Sequence, residues 1–183
     1  MQMLAHQGGL TLAAVGKAVG IADASVLKHF PSKEALIDAA VARFGQLLDE
    51  DLPEGVDDPL ERLGVFFVRR LAKIRARPEL MALAYNTRLA DAAGPDGAWQ
   101  ASLHVGRSAG FILECVQQAQ ATGAMPSDVP PTMWVWIIAG LLRGATGGLP
   151  AGLAEQGAAP GEDARALSPE RTWAMVATLM RGA

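Results

Sequence analysis

The chain has 183 residues, half of them hydrophobic and only 19% charged, with a formal net charge of −3. A chain of that length buries a core without disulfides or metal, and its composition excludes disorder and collagen-like repeats. The slight acidity argues against coating nucleic acid through bulk charge and leaves room for a local DNA-reading element.

Helical periodicity dominates the chain, and no hairpin signal interrupts it. Residues 11–18 predict a short helix, broken at Gly20. Residues 22–29 predict a second, ended by Phe30-Pro31. Ser32 is an N-cap candidate, with Glu34 in the first turn that follows. Leu36, Ile37, Ala40, Phe44, Leu47 and Leu48 then line one face to about Asp51. After a break at 52–55, Asp57 or Asp58 caps a helix with Pro59 in its first turn. Leu60, Leu63, Phe67, Leu71 and Ile74 form its apolar stripe, and Arg69, Arg70, Lys73, Arg75 and Arg77 read as its solvated face. Pro78 interrupts, and residues 79–92 predict a helix. Gly94-Pro95-Asp96-Gly97 predicts a turn. A long helix follows over 99–121, carrying Leu103, Gly106, Gly110, Leu113 and Gln117, and Thr122-Gly123 ends it. Residues 131–144 form an apolar helix too short to span a bilayer. A Gly/Ala/Pro-rich connection covers 147–168. Ser168 then caps a final helix to Met180, with Pro169 at its first position. The expected fold class is all-α, a helix-turn-helix unit followed by an antiparallel helical bundle.

Chemistry-bearing motifs are scarce. The lone Cys115 excludes an internal disulfide and Cys-rich zinc sites, and it suits a reducing cytosol. His6, His29 and His104 lack metal-ligand spacing. There is no G-x-S-x-G, phosphate loop or dinucleotide fingerprint, and neighbours Glu114 and Cys115 point apart on their helix. The reading is no enzyme, no cofactor and no metal. The first residues lack the pattern of a signal peptide, so a cytoplasmic protein without membrane attachment is expected.

The informative stretch is 10–36. Two short helices meet at Gly20, with Val15, Val19, Ile21 and Val26 placed to pack them together, as in a helix-turn-helix. This stretch resembles the DNA-binding region of TetR-type transcriptional regulators, most closely in Lys28-His29-Phe30-Pro31-Ser32-Lys33-Glu34-Ala35-Leu36. The later helix order is similar too, with Pro78-Glu79-Leu80, the Gly123-Ala124-Met125 turn, 140–144 and Trp173 in the last helix. The sequence departs from the family pattern at Ala22, Ala24 and Leu27, where Ser, Gly and Tyr are usual. The resemblance implies a full first helix ahead of the motif, and with residues 1–9 before Leu10 a shortened one is expected, unless the start lies upstream. Residues 1–50 hold four bases (Lys17, Lys28, Lys33, Arg43) against five acids (Asp23, Glu34, Asp38, Asp49, Glu50), a balance of −1.

The resemblance implies a DNA-binding domain over 1–50 and a sensing and dimerisation domain over 56–183. It implies DNA contacts from Thr11, Ser25, Lys28 and Lys33, and a packing role for Phe30. A small, largely apolar effector would meet Phe67, Met81, Tyr85, Trp99, Leu103, Arg107 and Phe111. Asn86 and His104 are further polar candidates. A homodimer would pair through Trp134, Ile137, Leu141, Trp173, Val176 and Met180. The implied function is a repressor that binds double-stranded operator DNA as a dimer and is released by its effector. The alternative is a small-molecule or lipid-binding protein of the same fold that has lost DNA binding.

Overall fold

The structure, a computed structural model, describes residues 28–78, 80, 87–144 and 167–182, with 87–98 as backbone. Five helices carry the described chain: α1 (Lys33–Asp49), α2 (Pro59–Ala76), α3 (Thr87–Ala121), α4 (Pro131–Gly144) and α5 (Pro169–Met180). The described residues include no strand. The short helix 11–18, the turn at Gly20 and most of 22–29 and of the 147–168 connection lie outside the described residues.

The helix ends follow local chemistry. Ser32 Oγ accepts from the Ala35 amide at 3.1 Å. Asp58 Oδ1 accepts from the Glu61 amide at 2.7 Å, with Pro59 at the first helical position. Ser168 Oγ accepts from the Arg171 amide at 3.2 Å, again followed by proline. Each oxygen satisfies an amide that the helix itself leaves without a partner. At the end of α3 the Ala124 amide reaches Ala119 O at 2.8 Å and the Gly123 amide reaches Gln120 O at 3.1 Å. This is the Schellman pattern, and Gly123 takes the required positive φ of 74°.

The chain divides into two compact units: residues 1–49 with 79–106, and residues 50–78 with 107–183. In the first unit Ile37, Val41, Phe44, Leu47 and Leu48 of α1 form a core with Leu80, flanked by Ala101 and Val105 of α3. Gly45 admits the His104 ring so closely that an added Cβ would lie within 2.5 Å of it.

In the second unit α2 is central, and it packs on α4 and α5. It buries Leu60, Leu63, Phe66, Phe67, Leu71 and Ile74. Ile112, Cys115, Val116 and Ala119 of α3 join this core, with Trp134, Ile138 and Leu142 of α4 and Val176, Ala177 and Met180 of α5. Each such aliphatic or aromatic side chain contributes roughly 1.5–3 kcal/mol when fully buried.

One expectation is corrected. The turn at 94–97 is absent, and α3 runs unbroken from Thr87 to Ala121. Proline within a helix costs about 3 kcal/mol and each glycine about 1, yet alanine-rich segments flank them, and helix once nucleated propagates. The structure also shows which face of α3 is buried. Leu103, Gly106, Gly110 and Gln117 are exposed and Leu113 is half-buried, while Ser108, Ile112, Cys115, Val116 and Ala119 face inward.

Candidate nucleic-acid interface and sensing body

The N-terminal candidate surface is built on the join between a helix end and α1. Residues 28 and 29 are helical, Phe30 is half-buried, and Pro31 separates them from α1. Proline disfavours helix in the residue before it, which sets the break at Phe30. Lys28 and Lys33 are both exposed, and Lys33 occupies the first position of α1. A lysine at a helix N-terminus adds its charge to the dipole and to the free amides, which together suit a phosphate. Glu34 opposes this. Hydrogen bonds from its own backbone and from Ser32, aided by the Lys33 charge, hold its carboxyl below the usual range, so it stays anionic. Thr11 and Ser25 lie outside the described residues.

The predicted effector contacts occupy different settings. Phe67 is fully buried and packs on Trp173, with centroids 5.5 Å apart. Phe111 is half-buried, 5.3 Å from Phe66, with the Arg62 guanidinium 5.4 Å from its centroid. Trp99, Leu103 and Arg107 are exposed. Met81, Tyr85 and Asn86 lie outside the described residues. His104 Nδ1 is 3.5 Å from Asp49 Oδ2 at the end of α1.

The predicted pairing residues also separate. Trp134, Val176 and Met180 point into the core of the second unit. Trp173 is half-buried in the seam between α2 and α5, where Gly64 gives its indole room. Ile137 and Leu141 are exposed. With Met133 and Trp136 they form an outward apolar row on α4, and Met175 and Leu179 form another on α5. Met175 was missed from sequence, although Leu179 four residues on marks the same face.

Arg70 was also missed, because the sequence placed it on a solvated face. It is only 6% exposed, as the α2 stripe is wide enough to include it. Its Nε donates to buried Asp51 Oδ2 at 2.6 Å, and Nη1 reaches Ser108 Oγ at 3.3 Å. The guanidinium lies 4.9 Å from the centroid of the Phe66 ring. Lys73 Nζ meets Asp51 Oδ1 at 2.8 Å and Glu50 Oε2 at 3.1 Å. This network fixes the start of the α1–α2 connection to α2. Arg75 donates to the Leu167 carbonyl, while Arg69 and Arg77 are exposed as expected.

No candidate metal cluster occurs among the described residues, and no helix there is long and apolar enough to cross a membrane. Residues 2–40 match the family model described as bacterial regulatory proteins, tetR family. No match was found among curated proteins. Solved structures share the fold. AibR, solved with isovaleryl coenzyme A and operator DNA, superposes with a TM-score of 0.71 at 16% identity, over 98% of this chain and 92% of that one. The fatty acid degradation regulator FadR from Bacillus halodurans gives 0.57 at 16%, over 98% and 90%. A TetR-family transcriptional regulator from Rhodococcus sp. gives 0.55 at 19%, over 98% and 92%. The chain thus carries an N-terminal segment that matches the tetR-family model and shares its overall fold with these solved regulators.

Proposed function

We propose that the protein is a ligand-responsive transcriptional repressor that binds operator DNA as a dimer and releases it when a small, largely apolar molecule binds. The observation that carries this reading is the tetR-family match over residues 2–40. It ends in the capped start of α1, where Lys33 is exposed beside the helix N-terminus. Thr11, Ser25 and Lys28 would complete the contact to the duplex, two copies supplying two half-sites. AibR was solved with isovaleryl coenzyme A and operator DNA, and FadR regulates fatty acid degradation. Short acyl thioesters and fatty acids are therefore the first effectors to try.

The test is selection from random duplexes by the purified chain, followed by titration at several salt concentrations. A defined sequence should emerge, with affinity falling steeply as salt rises. Lys33→Ala should weaken binding across sequences and lower the salt slope by about 0.9 for each phosphate it leaves without a neutralising charge. A folded protein that enriches no sequence would overturn this reading in favour of a binding protein without a DNA role.

A further inference from the structure

An open hollow of about 380 Å³ lies in the seam between α2 and α5 of the second unit. That volume is within the range of small-ligand sites. Gly64, Val65, Val68 and Trp173 line it. Gly64 creates the space, because a Cβ there would lie 2.4 Å from the indole nitrogen. Three charged residues complete the lining: Glu61, Arg69 and Glu170.

The two helices run antiparallel. Arg75, near the end of α2, bonds Leu167 just before α5, while Trp173 seats on Gly64 further back along α2. Glu170 therefore shares the Arg69 end of the hollow. Glu61 precedes Arg69 by eight residues, about 12 Å along the helix, and stands at the opposite end. Its neighbour Arg62 is engaged elsewhere, with Glu114 at 3.6 Å and Gln118 at 3.1 Å. Both adjoining helix starts have their caps in place, Asp58 on the Glu61 amide and Ser168 on the Arg171 amide. Those amides no longer solicit an anion. Glu170 stays ionised, its carboxyl held below the usual range by hydrogen bonds from its own backbone and from Ser168.

We propose that this hollow binds a small organic cation, an ammonium group on a compact apolar body. The ammonium lies between the Glu61 carboxylate and the Trp173 indole, where opposite charge and the ring quadrupole act together. The apolar body covers Val65 and Val68. This occupant is distinct from the effector proposed above and does not require DNA binding.

The test uses the full chain with ¹⁵N-labelled tryptophan, titrated with phenethylammonium chloride and, separately, with its neutral counterpart phenethyl alcohol. The Trp173 indole resonance is assigned by its loss in Trp173→Phe. The cation should shift that resonance saturably, and the alcohol should bind at least five-fold more weakly. Glu61→Gln, an exposed change, should weaken the cation about five-fold, the scale of one exposed ion pair, while Glu54→Gln leaves it unchanged. Equal binding of alcohol and cation overturns the proposal. So does unaltered affinity in Glu61→Gln, or a shift confined to the other indoles.

Discussion

At the scale of single residues, Arg70 is the most consequential side chain in the second unit. Asp51 is its main acceptor, and both are buried. Removing one member of a buried pair strands the other, which typically costs about 3–5 kcal/mol, whereas replacing both with apolar groups is often neutral. Asp51→Ala should therefore lower stability in urea denaturation by about 3 kcal/mol. Asp51→Leu with Arg70→Met should recover most of that loss. If the double variant is as unstable as the single, the network stabilises by more than charge compensation. Cys115 supplies a separate test. Burial is the main cause that pushes its thiol from near 9 up to about 11, opposed by the Arg62 charge. The folded state thus keeps its proton where the unfolded chain has lost it. The contribution is fully present below pH 9 and is lost as pH rises from about 9 to about 11. Cys115→Ala should flatten that alkaline decline, and the native thiol should resist thiol reagents at neutral pH. Neither residue announced itself in sequence. Arg70 sits among four other cations in a run that alternates with apolar residues, and only the width of the buried stripe decides which of them turns inward.

At the scale of elements, the caps were legible because each depends on a few adjacent residues. Ser32, Asp58-Pro59, Thr122-Gly123 and Ser168-Pro169 all act where expected. The α2 stripe was legible as well, since alternation with charge leaves one apolar face. The long helix was not. Gly94-Pro95-Asp96-Gly97 is locally a turn signal, and its inclusion in α3 reflects propagation from both flanks, which no four-residue window contains. This gives a direct test. Pro95 lies inside the continuous α3, so Pro95→Ala restores a missing backbone hydrogen bond and should raise stability by up to about 3 kcal/mol. In a turn, the same change would relax a pre-set φ and be neutral or destabilising. Chemical denaturation distinguishes the two by sign. The exposure of Lys28 and Lys33, the proposed DNA contacts, has a similar local origin. Lys28 and Lys33 flank a break whose Phe-Pro-Ser chemistry fixes where one helix stops and the next begins.

At the scale of the whole molecule, the acidic balance sets the terms of the proposed function. Under the proposed function, residues 1–50 sum to −1 and would gain little from general attraction to DNA, so the contribution of a few placed cations and of pairing two copies would weigh more. Pairing in turn needs a surface. The apolar side chains that α4 and α5 leave exposed, Trp136 at 74% and Leu179 at 72% above all, are the contact proposed for a second copy. An isologous interface places each row against its twofold mate, so one substitution is felt twice. The sequence could not separate this face from the core, because Trp134, Ile138 and Leu142 alternate with Met133, Ile137 and Leu141 on one almost wholly apolar helix. Burial separates them, and the test follows from it. Trp136→Glu should leave the monomer folded, since the side chain contributes nothing to the core, yet place a charge at the centre of the proposed contact. Sedimentation should then report a monomer with unchanged helical content. DNA binding should weaken at least a hundred-fold, because the second copy loses its effective concentration. A core change such as Ile138→Ala should instead lower stability by about 2–5 kcal/mol with dimerisation retained at low denaturant. A Trp136→Glu protein that still sediments as a dimer would exclude this face as the contact.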